Sequence, residues 1–328
     1  MDDLGKQDVA ISDRPRAQTA VLNDARRKLD VVMPVYRDAV RASDAIEALL
    51  ACTAPDMLTV RLRIVDDGSL DGTAEALESL FGGRIDIVRL PRNVGRSAAR
   101  NAGVAGSDAD LLLFIDADCV PDNETFLLHH IDAMANADVS IGSIEGLNDG
   151  FWHAYQGAAT ARRERLSRHS AAAAFTTQNV MIDARLFRRV GGFDEAYRGY
   201  GFEDRDLAMR MMAAGARFGQ ADGARVVHRD SLVLEKVCAK MREAGETTAA
   251  RFARLHPAEY RALGYEAIDA TKHPWRGLIA RATWPAVRLA VRYDGWINWG
   301  FLPFAARKTM VRMAVAIHFL QGTMRQRR

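Results

Sequence analysis

The stretch LLLFIDADCVPDNE, residues 111–124, begins with five consecutive apolar residues and turns abruptly polar at Asp116 and Asp118. An apolar run of this kind, bounded by charge, is typical of a strand that is buried on both faces of a sheet. Side chains two positions apart on an extended segment point to the same side. The stretch therefore predicts a buried strand that presents two carboxylates together at its carboxyl end.

Similar apolar runs precede this stretch and alternate with segments of helical spacing. Strands are predicted at 29–36, in the first part of 60–73, at 84–90 and at 110–118, and helices at 43–52, 73–80 and 95–106. Residues 138–202 show no regular pattern, and a last strand is predicted at 224–230. Strands that alternate with helices predict an α/β layered domain with a mixed, mainly parallel sheet.

The composition divides the chain into three parts. Residues 1–28 are polar and lack the apolar segment of a signal peptide, so we predict a flexible N-terminal arm. The α/β domain is predicted at 29–230, and a helical appendage at 231–328. Three widely spaced cysteines indicate neither a disulfide framework nor a zinc knuckle, which favours a reducing, cytoplasmic compartment.

The end of the chain is basic and rich in tryptophan. Residues 272–328 contain eleven Lys or Arg and one acid, together with four of the five tryptophans. Basic residues interleaved with Trp, Leu and Phe favour peripheral contact with an anionic membrane surface, here on its cytoplasmic face. Internal packing of the tryptophans is the alternative. Nucleic acid is the least favoured partner, because no nucleic-acid-binding motif accompanies the basic residues.

The pattern Asp-x-Asp occurs three times, at Asp108/Asp110, Asp116/Asp118 and Asp204/Asp206. On its own the pattern is more often a set of solvated loop acids than a site. At the carboxyl end of a strand, where α/β sheets bind ligands, a carboxylate pair also suits a hard cation. Mg²⁺ or Mn²⁺ would use such carboxylates together with phosphate oxygens, so the pair at 116 and 118 indicates metal-diphosphate binding.

Four more stretches surround this pair in a definite order. They are VVMPVYRD at 31–38, VDDGSLDGT at 65–73, NVGRSAARNAG at 93–103 and the segment from GGFDE to GFEDRDLAMRMMAAG at 191–215. The ordered set resembles the family 2 glycosyltransferases of the GT-A fold, which transfer a sugar from a nucleotide donor with inversion. The likeness covers about residues 28–230, and its specificity comes from the order of five motifs.

The resemblance implies a nucleotide-sugar site in the first half of the chain. Pro34 and Tyr36 would line the base pocket, and Asp67 would accept a hydrogen bond from the uracil imide with support from Asp66. Arg100 would contact the nucleotide. The asparagine that usually follows the tyrosine is replaced by Arg37, which removes that contact from the prediction.

The resemblance also implies the catalytic and metal-binding groups. Asp116 would lie near the ribose and diphosphate, Asp118 would bind the metal, and His228 would lie near it. Asp204 would be the general base, with Glu203 beside it. Two alternatives stay open here: Asp204 can instead favour a helix N-terminus through the macrodipole, and His228 can be a structural hydrogen-bonding residue.

The implied activity is metal-dependent, inverting transfer of one sugar from a nucleotide-sugar, with UDP favoured, to a hydroxyl of a glycan or lipid-linked acceptor. Such a step belongs to the biosynthesis of polysaccharides and cell-surface glycans. The Gln-x-x-Arg-Trp motif of processive synthases is absent, which favours single addition. One alternative is a non-catalytic, membrane-associated module that binds nucleotide-sugars. A sugar-nucleotide pyrophosphorylase is less favoured, because MPVYRDAV replaces its Gly- and Arg-rich loop.

Overall fold

A computed structural model describes residues 26–146, 150–167, 175–230 and 232–326, without the side chains of 159–167. Within these residues eight strands form one sheet in the order β3-β2-β1-β4-β7-β6-β8-β5. The strands are β1 Arg27–Val35, β2 Leu58–Asp66, β3 Asp86–Arg89, β4 Leu111–Ile115, β5 Cys119–Pro121, β6 Val139–Gly146, β7 Asn179–Asp183 and β8 Phe218–His228. Residues 1–25 of the predicted arm lie outside the described residues.

One half of the sheet is parallel and follows the predicted strands. β1 pairs in parallel with β2 and β4, and β2 pairs in parallel with β3. All five residues of β4 are buried, because helices cover both faces of this half. The carboxyl ends of β1, β2 and β4 therefore lie at one edge, where the acidic motifs follow them.

The other half of the sheet is mixed and was not predicted apart from its last strand. β7 pairs antiparallel with both β4 and β6, β8 pairs in parallel with β6, and β5 pairs antiparallel with β8. The side chain of His130 is fully buried here, with its ring nitrogens 2.9 Å from Ser140 Oγ and from Asn179 Oδ1. These pairings satisfy polar groups in the sheet interior that the sequence pattern alone cannot place.

Twelve α-helices lie within the described residues. They are α1 Ala39–Ala51, α2 Thr73–Phe81, α3 Arg96–Val104, α4 Phe126–Met134, α5 Gly150–Ser167, α6 Ala184–Arg189, α7 Glu203–Ala213, α8 Leu234–Thr247, α9 Ala249–Leu255, α10 Pro257–Ala262, α11 Pro274–Arg292 and α12 Phe304–Thr323. Short 3₁₀ helices lie at Gly82–Arg84, Glu266–Ile268 and Asp294–Asn298. The predicted fold class, an α/β domain with a mixed sheet and a helical C-terminal region, is confirmed.

The C-terminal helices pack against each other and against the α/β domain. α12 packs along α8 and α11, and α8 continues into α9. Tyr197 and Phe202 of the α/β domain join Phe252, Tyr260 and Phe319 in one buried cluster. Among the described helices, none is both long enough and apolar enough to cross a membrane.

Candidate active site

Two adjoining clefts open at the carboxyl edge of the parallel strands. The larger cleft has a volume of about 470 Å³ and the smaller about 390 Å³. Both are lined by Arg96, Arg100, Asp116, Asp118, Tyr200 and Lys240. The predicted residues Pro34, Tyr36 and Asp67 line the smaller cleft, and Glu203, Asp204 and His228 line the larger one. Asp66 is the one predicted residue that lines neither.

The two aspartates after β2 shape the turn that borders the smaller cleft. Asp67 is 5% exposed, and its carboxylate accepts hydrogen bonds from the backbone N–H of Val94 at 2.7 Å and of Gly95 at 3.1 Å. Burial raises the pKa of Asp67, although the hydrogen bonds from these two donors act to lower it. Asp66 accepts from the backbone N–H of Ser69 at 3.0 Å, so it supports the turn from outside the cleft.

The Tyr36 side chain is exposed at the mouth of the smaller cleft, with the Arg37 guanidinium 5.1 Å from its ring centroid. Arg37 has a φ of 53°, in the left-handed region that asparagine tolerates better than most residues. The backbone N–H of Arg37 donates to Ser69 Oγ at 2.8 Å, which ties the end of β1 to the turn after β2.

The three Asp-x-Asp pairs have different surroundings. Asp108 pairs with Lys28 and Arg61 and is 55% exposed, and neither Asp108 nor Asp110 lines a cleft. Asp206 is buried and pairs with Arg210 and His256. Asp116 and Asp118 are the pair whose two members both line the clefts.

Strand pairing brings His228 beside Asp118. Cys119 of β5 pairs with His228 of β8, and His228 Nε2 lies 3.3 Å from Asp118 Oδ2. Burial opposes the charge of both groups, but their mutual attraction outweighs it, so the pKa of Asp118 is lowered and that of His228 is raised.

The donor set at this point suits a divalent cation. Ligand atoms of Asp118, Cys119 and His228 all lie within 4.8 Å of one another. Cys119 is fully buried, and burial raises the pKa of its thiol well above the ordinary value, which leaves it protonated. Asp118 and His228 therefore remain as the two usable ligands, and a carboxylate with an imidazole suits Mn²⁺ better than Mg²⁺.

Arg100 lies under the acidic groups rather than on the surface. Its side chain is 2% exposed, and Nη2 lies 2.7 Å from Asp116 Oδ1 while Nη1 lies 3.8 Å from Asp204 Oδ1. Its Nε and Nη1 have no hydrogen-bond partner among the described residues. Arg100 thus links the carboxylate after β4 to the carboxylate at the start of α7.

Asp204 lies in the first turn of α7 and faces the larger cleft. Thr177 donates to it twice, from Oγ1 at 2.7 Å and from the backbone N–H at 3.2 Å. Glu203 is 4% exposed, and its Oε2 has no partner among the described residues. Burial, with the charge of Asp204 added, raises the pKa of Glu203 to about 7. The two neighbours therefore differ, because two donors hold the Asp204 carboxylate while the Glu203 carboxyl is buried with a raised pKa.

Sequence reasoning missed several residues of the clefts. Arg96 is the first residue of α3 and lies inside a motif that was singled out, so its position offered a signal. Thr176 lines the larger cleft, Thr177 lines neither cleft but donates to Asp204, and both precede a strand that was not predicted. Lys236 and Lys240 come from α8, four residues apart on one face, and line the larger cleft. Nothing in the sequence indicates that this face of a C-terminal helix would reach the site.

Two family models match the chain. The model described as glycosyl transferase family 2 matches residues 30–191, and the model described as the N-terminal domain of galactosyltransferase matches residues 159–230. Between them the two matches contain every predicted site residue.

Curated relatives are similar over part of their length. The pre-mycofactocin glycosyltransferase of Mycobacterium tuberculosis is 28% identical over 62% of this chain and 43% of its own length. The validoxylamine A glucosyltransferase of Streptomyces hygroscopicus subsp. limoneus is 29% identical over 70% of this chain and 57% of its own length. The chain thus spans about half the length of these relatives.

Solved structures share the fold. The mannosyltransferase PcManGT from Pyrobaculum calidifontis, solved with GDP-Man and Mn²⁺, has a TM-score of 0.59 at 17% identity, over 90% of this chain and 87% of that chain. GalNAc-T7, solved with UDP, GalNAc and Mn²⁺, has a TM-score of 0.50 at 14% identity, over 68% of this chain and 48% of that chain. The predicted GT-A fold is confirmed by these neighbours.

Proposed function

Because residues 30–191 are a glycosyltransferase domain of family 2, we propose that the protein transfers a single sugar from a nucleotide-sugar to an acceptor hydroxyl, with inversion. One observation carries the proposal. The carboxylates of Asp116 and Asp204 lie on either side of the buried Arg100 guanidinium, at 2.7 and 3.8 Å, in clefts that Asp118 and His228 also line. This arrangement supports a single site in which the proposed donor, cation and base positions adjoin.

The smaller cleft is the proposed donor site. The Tyr36 ring offers an exposed face on which a base can stack, and Pro34 lines the same wall. Asp67 keeps a free lone pair on each carboxylate oxygen after accepting from Val94 and Gly95, so it can accept the imide N–H of uracil. This acceptor supports a UDP-sugar donor.

The diphosphate would lie where the two clefts meet. Asp118 and His228 would hold a divalent cation, which when bound neutralises charge on the leaving diphosphate. Arg96 at the start of α3 and Arg100 line both clefts there. Arginine donors there would orient phosphate oxygens and favour departure of the nucleoside diphosphate.

Asp204 is the proposed general base. It would take the proton from the acceptor hydroxyl as that oxygen attacks the anomeric carbon and the bond to the nucleoside diphosphate breaks. The donors from Thr177 and the nearby Arg100 guanidinium would hold its carboxylate in place for this step. Attack from the side opposite the leaving group inverts the anomeric centre.

The larger cleft is the proposed acceptor site. Trp152 and Tyr155 of α5 line it with rings 5.5 Å apart, and aromatic faces of this kind pack well against the apolar face of a sugar. Their presence supports a glycan acceptor, with or without a lipid carrier.

Calorimetry with UDP, GDP and dTDP, each with Mn²⁺ and with EDTA, tests the donor site. We expect UDP to bind in the presence of Mn²⁺ and to lose affinity in Asp118→Ala. Asp108→Ala, in an Asp-x-Asp pair away from the clefts, is the matched control and should bind like the wild type. Absence of nucleotide binding with metal present would remove the donor site from the proposal.

Transfer itself is tested by incubating the protein with a UDP-sugar and oligosaccharide or lipid-linked acceptors. Mass spectrometry would detect addition of one sugar, and NMR of the product would give its anomeric configuration. Retention of the donor configuration would contradict the role of Asp204, while nucleotide binding without any transfer would favour a non-catalytic binding module.

A further inference from the structure

Helix α11 is apolar on two opposite sides. Gly277, Ala280 and Val291 are buried on the side that packs against α12. A second row follows the opposite side at successive spacings of three, one, three, seven and four residues, which places its members along one face of a helix. The row consists of Trp275, Leu278, Ile279, Ala282, Leu289 and Tyr293. We call this row the α11 stripe.

The α11 stripe is in contact with water along its whole length. Its five large side chains are between 52% and 67% exposed, and Ala282 is exposed as well. From Trp275 to Tyr293 the stripe extends for about 27 Å at the helical rise. An apolar row of this length on a surface marks an interaction site more often than chance exposure.

Internal packing accounts for only half of the tryptophans in the basic region. The Trp296 side chain is buried and donates from Nε1 to Ala290 O at 2.8 Å, and the Trp284 ring lies 4.7 Å from the His318 ring. Trp275 and Trp299 are instead about half exposed, at 56% and 50%. Their exposure is therefore a separate feature that packing does not explain.

Positive charge borders the α11 stripe. Arg281, Arg288 and Arg292 are exposed and recur at spacings of seven and four residues, so they lie along one edge of the helix. α11 contains no acidic residue, and none of these three arginines forms an ion pair within the part of the chain that the structure describes. The edge therefore carries uncompensated charge beside an apolar row.

We propose that the α11 stripe docks on the surface of an anionic lipid bilayer. In this arrangement the helix would lie in the plane of the interface, with the stripe inserted among the acyl chains and the arginines at the level of the headgroups. Tyr293 ends the stripe just past the last residue of α11, and Trp299 and Phe301 follow it. All three are exposed, and Trp and Tyr favour that interfacial level.

Charge complementarity selects a bilayer over a second copy of the chain. Two copies that met through the α11 stripe would bring their bordering arginines together, while residues 272–328 offer one acid, Asp294, to neutralise them. Anionic headgroups supply many counter-charges at once. Docking would hold the larger cleft near the bilayer through a chain of packed helices. α8 lines this cleft and packs against α12, and α12 packs against α11.

Flotation of the full chain with vesicles tests the proposal. Vesicles of phosphatidylcholine with about 30% phosphatidylglycerol are compared with pure phosphatidylcholine, since the anionic lipid supplies the attraction. We expect at least about tenfold stronger partitioning onto the anionic vesicles, weakened when salt rises from about 0.1 to about 0.5 M.

Three variants separate the contributions. Leu278→Ser, Ile279→Ser and Leu289→Ser combined remove the stripe and should lower partitioning about tenfold or more. Arg281→Gln, Arg288→Gln and Arg292→Gln combined should abolish the preference for anionic lipid. The matched control replaces exposed apolar residues of the α/β domain, Val40→Ser, Met57→Ser and Leu80→Ser, and should float like the wild type.

Two outcomes would overturn the proposal. One is a stripe variant that floats as well as the wild type. The other is a wild type that does not float and is a dimer by light scattering, together with a stripe variant that is a monomer. That result would identify a second copy as the occupant of the stripe. Neither outcome depends on glycosyl transfer, so the proposed function stands or falls separately.

Discussion

The guanidinium of Arg100 donates to Asp116 at 2.7 Å from a position where the arginine side chain is only 2% exposed. The sequence predicted an arginine that contacts the nucleotide directly. The structure gives this arginine a second task, because the same guanidinium lies 3.8 Å from Asp204. From its buried position Arg100 holds two carboxylates of the site, Asp116 and Asp204, in place.

We therefore expect Arg100→Met to destabilise the protein by about 3 kcal/mol, because two partly buried carboxylates would lose the buried counter-charge between them. Arg225→Met is the matched control, since Arg225 pairs with Asp122 at 2.5 Å but is 46% exposed. The control should cost about 0.5 kcal/mol or less. Urea denaturation measures both, and equal losses in the two variants would contradict the buried role of Arg100.

Replacing the proposed base tests catalysis apart from binding. Asp204→Asn should lower kcat about 10²- to 10⁴-fold, because the amide cannot accept the hydroxyl proton. UDP affinity should persist, because the smaller cleft is intact. Glu203→Gln is the companion variant and should keep most of the activity. If Glu203→Gln instead abolished transfer while Asp204→Asn retained it, the two roles would have to be exchanged.

Glu203 also makes stability depend on pH. Its pKa is raised from 4.5 to about 7 by burial, with Asp204 adding to the effect. Its neutral form therefore stabilises the fold fully below pH 4.5, and this stability is lost as pH rises through about 7. Glu203→Gln keeps the neutral form at every pH. The variant should gain on the wild type with rising pH, by on the order of 1–3 kcal/mol at about pH 8.

Denaturation of the wild type and of Glu203→Gln between about pH 5 and about pH 8 measures this gain. Glu235→Gln is the control, since the Glu235 side chain is exposed and keeps its contact with water in the folded state. A constant difference between Glu203→Gln and the wild type across this range would show that Glu203 is ionised in the folded protein.

The parallel half of the sheet was predictable because burial on both faces leaves a plain apolar signal. β4 reads as LLLFI and follows the predicted strand closely. β6 reads as VSIGSIEG, where serine and glycine interrupt the pattern. Ser140 is nevertheless fully buried. Its hydroxyl can be buried because it hydrogen-bonds with the His130 ring at 2.9 Å. A strand whose polar groups are satisfied by another element gives no periodic signal of its own.

The sequence signal for the first residue of a helix was also easy to misplace. The helix predicted from Ser43 begins at Ala39, where Asp38 accepts a hydrogen bond from the backbone N–H of Arg41 at 3.3 Å and caps it. A cap of this kind satisfies an otherwise unpaired donor of the first turn. The apolar spacing from Ile46 onward was correct, but it carries no information on the preceding polar turn.

The candidate site was predictable where ordered motifs carry it and unpredictable where distant segments meet. The motifs indicated Asp116, Asp118 and Asp204 from sequence. The approach of His228 to Asp118 depends on pairing between β5 and β8, which are about a hundred residues apart along the chain. Lys240 enters through packing of α8, which no local pattern encodes.

The turn after β2 offers a last test, which links backbone geometry to donor binding. Gly68 has a φ of +72°, and a Cβ there would lie 2.2 Å from the carbonyl carbon of Arg92. The loop held by Asp67 would have to move, so Gly68→Ala should cost about 3 kcal/mol or more and weaken UDP binding.

Gly72→Ala is the matched control, with a φ of +84° and open space around its Cβ. It should cost only the strain of the left-handed backbone, about 1–2 kcal/mol, and leave binding unchanged. Thermal unfolding and calorimetry on both variants measure these effects. Equal stability of the two variants would mean that the loop at Arg92 yields easily and does not fix the cleft.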